Sequence, residues 1–395
     1  VNYFDQQYPL PQEDAFGIHI EAAPAPYGEN ENYHLVRVGI QGYDVPAAER
    51  PDALLIFVID VSGSMDAENR LGLVKESLHR LTENLKPTDQ IGIVTYGSAA
   101  EIVLAPTYVV ADRQIHAAID GLYPNGSTNV EHGLMLAYQL ADQFAVDGNI
   151  NRLMVASDGV ANVGQTTADA ILSHARDGIQ LSTFGFGMGN YNDVLMEQLA
   201  DQGDGTYAYI DTLDEADRVF GDELLSTIFT IAKDTKIQVE FNANVVERYR
   251  LIGYENRDVA DSDFRNDSVD AGEIGAGHSV TALYEVRFAE EANPNEAALT
   301  VRVRYEDPEM GEVVEIAETM ATRDVHGSFT AASPTFQLSA NVAEYAEIMR
   351  QSFWAQGGNI DVVADDVRRI ANMMPENYDV QEFAGLVAQA ASLMR

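Results

Sequence analysis

The stretch Ala53–Asp66, ALLIFVIDVSGSMD, constrains the fold more than any other part of this chain. Leu54 to Ile59 is an unbroken apolar run, long enough for a strand and short for a helix. A strand that is apolar at every position is buried on both faces. That is the condition of a central strand in a parallel sheet covered by helices on both sides. The run ends on a carboxylate, Asp60, and hydroxyls follow at alternate positions, Ser62 and Ser64. A charge at the end of a buried strand is costly unless it has a partner or a task.

The rest of the chain supplies the setting. From Asp52 to about Lys233, short apolar segments alternate with amphipathic ones. Strands are expected at Leu54–Ile59, Ile91–Thr95, Leu153–Ser157, Leu181–Phe186 and Tyr207–Ile210, with Glu101–Leu104 as a short antiparallel edge. Helices are expected at Leu71–Leu85 and Val130–Phe144, each with one apolar stripe, and at Leu213–Ile231. This alternation predicts a doubly wound, mainly parallel α/β sheet.

On either side of this region the period changes to two. Phe16, Ile18 and Ile20 share a face, as do Val36, Val38 and Ile40; Ile237, Val239 and Phe241 form a later set, and Leu299, Val301, Val303 and Tyr305 another. Neither flank can easily cover itself. We expect residues 1–50 and 234–326 to pair into one antiparallel β domain, with the α/β domain, 51–233, inserted between them. Residues 335–395 carry 3.6-period stripes at Leu338–Met349, Val362–Met374 and Val380–Met394, so they predict a helical module.

Composition narrows the function. The chain has 395 residues, enough for two or three domains, and 46% are hydrophobic, as in a globular protein. Its 63 acidic and 24 basic residues give a formal charge of −39. Nucleic acid is excluded as a partner on this ground, because neutralising phosphates takes Lys and Arg patches. Anionic membrane surfaces are disfavoured for the same reason. The acidity is read as adaptation to high salt, as a set of calcium sites, or as plain solubility. There is no cysteine, hence no disulfide, thiolate site or cysteine nucleophile. No apolar run approaches the ~20 residues that span a bilayer, so no direct membrane insertion is expected. The sequence opens on Val1 rather than Met, which raises the expectation of a fragment or processed form.

In an open parallel sheet, ligands bind at the carboxyl ends of the strands. Asp60, Ser62 and Ser64 belong to that edge. Thr128 in NGSTN, just before the Val130 helix, should reach it, and so should Asp158 in VASDGVAN, just after the strand Leu153–Ser157. Two carboxylates and three hydroxyls make an all-oxygen set suited to a hard divalent cation such as Mg²⁺.

DVSGSM, a later GST and a later SDG resemble the metal-ion-dependent adhesion site of von Willebrand factor type A domains. The family pattern is Asp-x-Ser-x-Ser, then a distant Thr, then a distant Asp, and each member is matched in order across about Asp52–Lys233. A wider likeness extends to bacterial proteins that carry this domain with appended segments, often labelled chloride-channel-like. NYFDQQYPLP, GFGMGNYND, RLIGYENR and DAGEIGAGHSVTALYE carry it. The resemblance implies that Ser62, Ser64 and Thr128 bind the metal directly, while Asp60 and Asp158 act largely through waters. It implies Mg²⁺ or Mn²⁺, with Ca²⁺ also admissible, and a protein partner that completes the metal with an Asp or Glu carboxylate.

Other candidates are weaker. GFGMGN at 185–190 fails the dinucleotide spacing, with Asn190 where glycine is needed. Asp261, Asp263, Asp267, Asp270 and Glu273 cluster, but without EF-hand spacing. His132 stands near Thr128 and reads chiefly as a helix-face residue. Asp60 and Ser62 read alternatively as caps of the Leu71 helix. No HExxH, GxSxG or P-loop pattern occurs. The expectation is an extracytoplasmic binding module of adhesion or assembly, not an enzyme. The alternatives are a cytosolic assembly factor for an ATPase partner and a metal-assisted hydrolase.

Overall fold

The structure is a computed structural model that describes all residues except 13, 28–32, 47, 68–69, 127, 159–166, 177, 188–192, 254–259, 267–268, 270, 309, 356 and 395. Two strands come first, β1 (Phe16–Pro24) and β2 (Tyr33–Gly42). The central stretch follows as β3 (Ala53–Asp60), α1 (Leu71–Asn84), β4 (Gln90–Tyr96), β5 (Ala100–Tyr108), α2 (Asp112–Asp120), α3 (Val130–Phe144) and β6 (Ile150–Ser157). It continues as α4 (Ala168–Ile171), β7 (Gln180–Phe186), α5 (Asp193–Asp201), β8 (Tyr207–Ile210), α6 (Leu213–Asp217) and α7 (Leu224–Ile228). Then come β9 (Thr230–Phe241), β10 (Val246–Leu251), β11 (Gly272–Gly275), β12 (Ser279–Phe288), β13 (Ala297–Glu306) and β14 (Val313–Ala321). The chain closes on α8 (Pro334–Met349), α9 (Ile360–Met373) and α10 (Tyr378–Leu393). It divides into two compact units: Asp44–Lys233 with Ala271–His278, and Val1–Tyr43 with Asp234–Asp270 and Ser279–Arg395.

The inserted unit is built on a sheet in the order β5-β4-β3-β6-β7-β8. β3 lies between β4 and β6 and is parallel to both, and β6–β7 and β7–β8 are parallel too. Only β5, at the edge, runs antiparallel among these strands. It is longer than the sequence predicts, because its pairing with β4 continues through two register shifts to Tyr108.

The continuous apolar run of β3 now has its physical reason. Leu55, Phe57 and Ile59 point to one face and pack with α1, α2, α6 and α7. Leu54, Ile56 and Val58 point to the other and pack with α3, α4 and α5. With helices on both faces, neither set of positions can be polar. The chain leaves β3 toward one face through α1 and enters β6 from the other through α3. The two connections diverge at the carboxyl end of β3, the place where ligands bind in such sheets.

The helix expected over Leu213–Ile231 is instead three pieces. α6 is followed by a π-helical turn at Arg218–Asp222 and then by α7, and the chain is already extended at Thr230. Arg218 pairs with Glu215 on one side and Glu223 on the other, bridging the wider turn. Of the apolar stripe expected on it, Ala216, Phe220, Leu224 and Ile228 are buried, whereas Leu213, at the start of α6, is exposed.

The other unit is antiparallel. One sheet runs β1-β2-β12-β10, so the first forty residues do pair with strands from beyond the insertion. β13 and β14 form a second antiparallel pair. The helical tail joins the same unit. Phe336, Ala340 and Ala343 of α8 pack with Ala23, Leu35 and Leu283 of the strands, while α9 and α10 bury Val363, Val367, Ile370, Val380 and Val387 in a second cluster. Arg37 of β2 fastens this arrangement. Its guanidinium donates to Gln6 and Thr335 at 2.9 Å and to Glu21 at 2.7 Å. Among the described residues no helix is long and apolar enough to cross a membrane.

Candidate metal centre

β3 delivers Asp60 to the carboxyl edge of the sheet and buries it completely. Asp60 Oδ1 accepts the Ser62 backbone N–H at 2.8 Å, which bends the chain out of the strand. A 3₁₀ turn, Gly63–Asp66, follows. Met65 from this turn is buried in the core and anchors the loop from below, so Ser62 and Ser64 are held on the same side, their Oγ atoms 3.0 Å apart.

Asp158 arrives from β6. Ile59 pairs with Ala156 in parallel register, which places Ser157 beside Asp60 and Asp158 one step beyond. Ser157 Oγ donates to Asp60 Oδ2 at 2.9 Å. Thr128 comes on the segment that enters α3. Gly63 N–H donates to Gly126 C=O at 3.1 Å and Asn125 N–H donates to Val61 C=O, so this segment is laced to the Asp60 loop. Gly126 has φ +90°, and a Cβ there would come within 2.3 Å of Ser98 Oγ; the close approach needs glycine. Thr128 is 2% exposed. Asn129 caps α3, accepting the His132 N–H at 3.2 Å, and His132 itself faces outward as a helix-face residue. The capping alternative for Asp60 and Ser62 fails, since Arg70 occupies the N-cap position of α1.

The electrostatics are those of an under-compensated acid site. Burial raises the Asp60 carboxyl from 3.8 to about 6, against the opposing hydrogen bonds from Ser62 and Ser157, and Asp158 adds to the rise. Asp158 is 2% exposed; its Oδ2 accepts from Arg70 at 2.8 Å, whereas its Oδ1 is buried with no hydrogen-bond partner among the described residues. Buried carboxylate oxygens are ordinarily satisfied, so an orphaned one marks a place for a missing partner. Tyr96, at the end of β4, is buried nearby. Its hydroxyl is held in the neutral form chiefly by burial and then by the Asp60 charge. Gly133 of α3 lets the helix close over it: a Cβ at that position would lie 2.8 Å from the Tyr96 ring.

The donors fit a hard cation. Two carboxylates and three hydroxyls share one edge, and every donor is oxygen. Among the described residues no three His, Asp or Glu side chains converge on one point. Any metal chemistry here therefore rests on hydroxyls as much as on carboxylates.

Sequence reasoning missed three residues of this centre: Arg70, Tyr96 and Ser157. Tyr96 and Ser157 were accessible to it, being polar groups at the carboxyl ends of two buried strands. Arg70 had only one signal, a single cation after the acidic loop. Of the weaker candidates, Gly187 follows directly on β7 with φ +92°. Residues 188–190 of the GFGMGN segment, Ser127 of NGSTN, Gly159 onward in VASDGVAN, and 254–257 of RLIGYENR lie outside the described residues. In the acidic cluster Asp267, Asp270 and the Asp261 side chain lie outside them too, and Glu273 sits in β11.

The fold and this edge define a class, and comparison with known proteins gives the same one. The family model for the von Willebrand factor type A domain matches residues 55–221. A second model, "Uncharacterized protein YfbK, C-terminal", matches residues 226–393. The chain thus carries a von Willebrand factor type A domain followed by a region similar to the C-terminal part of YfbK. It is 43% identical over 298 residues to YfbK of Escherichia coli (strain K12), an alignment covering 72% of this chain and 52% of that protein. The chain thus spans about half the length of that relative. It is 29% identical over 169 residues to inter-alpha-trypsin inhibitor heavy chain H4 of Bos taurus, covering 38% of this chain and 18% of that one. Among solved structures, a von Willebrand factor type A protein from Catenulispora acidiphila aligns over 99% of this chain and 91% of its own, with 16% identity and a TM-score of 0.48.

Proposed function

We propose that this protein is a binding module whose centre, Asp60, Ser62, Ser64, Thr128 and Asp158, holds one Mg²⁺ or Mn²⁺ that a partner protein completes with an Asp or Glu carboxylate. The orphaned Asp158 Oδ1 carries this reading. A buried acceptor at a rim lined with hydroxyls calls for a cation, and the family's domains are commonly protein-interaction modules.

Each residue then has a task. Ser62, Ser64 and Thr128 offer neutral oxygens. Asp60 orients the Ser62 backbone and, with Asp158, supplies the negative charge around the ion. Neutral hydroxyls leave most of the cation's charge uncompensated, which favours an incoming anionic ligand. Met65 and the Gly63–Gly126 bond hold the two loops in place so that the donors need little rearrangement. The bound ion would act as a bridge between the two proteins. Placement outside the cytoplasm belongs to the same proposal.

Peptide arrays displaying Asp or Glu, with Asn and Gln controls, test this directly. The expected result is capture that depends on the carboxylate and on Mg²⁺, disappears in EDTA, and is lost in Asp60→Ala and Thr128→Ala, both still folded by circular dichroism. Capture that survives EDTA or either substitution would overturn the reading.

A further inference from the structure

The centre contains a cation of its own. Arg70 Nη1 donates to Asp158 Oδ2 at 2.8 Å and to the Ser64 backbone carbonyl at 2.7 Å. The same nitrogen therefore bridges two of the loops that carry the metal-site residues. The side chain is 17% exposed and Asp158 2%. The arginine packs against Gly187, where a Cβ would come within 2.7 Å of both Cγ and Nε, so glycine at that position leaves room for it. Its charge also acts on Tyr209 of β8. A long side chain held at two acceptors and packed on a glycine is an arranged feature, not a loose surface arginine.

We infer that Arg70 is a built-in competitor of the divalent cation: it neutralises Asp158 while the metal is absent, opposes metal entry, and is released when the metal binds. The inference rests on the proposed metal site. Two positive charges beside one carboxylate repel each other, and little water is present to screen them. Without metal, the guanidinium offsets the charge of a carboxylate that would otherwise be buried and unpaired. With metal, the reason for Arg70 to stay on Asp158 and on the Ser64 carbonyl is gone. The freed guanidinium then stands at the rim, where a carboxylate-bearing partner docks, and its fork can receive a second acidic group bidentately. Loading by the metal would thus prepare the surface as well as the ion.

Two measurements test this, and neither needs the partner. The first is calorimetric titration of Mg²⁺ into EDTA-stripped protein. Arg70→Gln is expected to bind about tenfold tighter than wild type, ~1.4 kcal/mol, with Arg70→Lys between them. The second uses the wild-type chain alone, so it is independent of any folding defect in a variant. Phenylglyoxal modification of Arg70, followed by peptide mass spectrometry, should be slow in EDTA and several-fold faster in saturating Mg²⁺. Equal or weaker Mg²⁺ binding by Arg70→Gln, or modification that Mg²⁺ leaves unchanged or slows, would overturn the inference. If wild type binds Mg²⁺ and the variant binds no tighter, only the role of Arg70 falls. If neither binds, the metal site falls with it.

Discussion

The same sheet buries acids at both its edges, and the two edges treat them oppositely. At the amino edge, Asp89 precedes β4 and is fully buried. Its Oδ1 accepts from Arg50 at 2.9 Å and from the Ala53 N–H at 2.8 Å. Its Oδ2 accepts from the Lys86 N–H at 2.7 Å and from the second arm of the Arg50 fork. Both oxygens are satisfied by groups on the segments that lead into β3 and β4. At the carboxyl edge, Asp60 and Asp158 are just as buried, yet one has a carboxyl raised to about 6 and the other an oxygen with no partner among the described residues. A buried acid whose partners are complete is structural, and one left incomplete is available to a ligand. The distinction lies in the partner list, not in burial.

The largest effect should separate the two edges. Asp89→Ala leaves the Arg50 guanidinium buried and unpaired, and should cost about 3–5 kcal/mol in urea denaturation. Asp158→Asn at the other edge should cost far less in EDTA while removing Mg²⁺ binding. Equal losses of stability would erase the contrast.

The next effect concerns pH in the metal-free protein. The Asp60 carboxyl is higher in the folded chain, about 6, than its ordinary 3.8, so folding favours its protonated form. That contribution is complete below about pH 4 and is lost as pH rises through about 6, and it amounts to ~3 kcal/mol at most. Difference denaturation curves of wild type and Asp60→Asn in EDTA should diverge across this window. Parallel curves would show that Asp60 is solvated after all. The converse holds for the metal, which needs the carboxylate: Mg²⁺ affinity should weaken as pH falls below about 6.

The smallest effect is the stabilisation that Mg²⁺ gives. At a hundredfold excess over its dissociation constant it should add about 2.7 kcal/mol to the wild type. Thermal melts should show the gain in wild type and none in Thr128→Ala. An equal gain in both would move the ion elsewhere.

Much of this was legible in the sequence because it is local. The fully apolar run of β3 states that both faces are covered, and the residues at its end state where the open edge lies. The helices of the tail declared themselves by stripe, although α8 starts four residues before the expected Leu338, where Ser333 accepts the Phe336 N–H at 3.2 Å and Pro334 stands in the first turn. What was not legible depends on distance in the chain. Arg70 and Asp158 are 88 residues apart, and nothing in either neighbourhood announces the pair. The π turn at Arg218–Asp222 was hidden too, because a wider turn keeps the buried stripe that periodicity detects. Arg37 was invisible for a third reason. Its partners Gln6, Glu21 and Thr335 come from three separate stretches, and only the fold assembles them.

Electron paramagnetic resonance of Mn²⁺ titrated into EDTA-stripped protein tests the central claim most directly, because bound and free ion are counted separately. The account predicts one bound Mn²⁺ per chain, displaced by Mg²⁺, lost in Thr128→Ala and in Asp158→Asn, and retained in a variant of an exposed acid at the opposite, amino edge of the same sheet such as Asp147→Asn. Full occupancy in Thr128→Ala and Asp158→Asn, or no bound ion in the wild type, would contradict it.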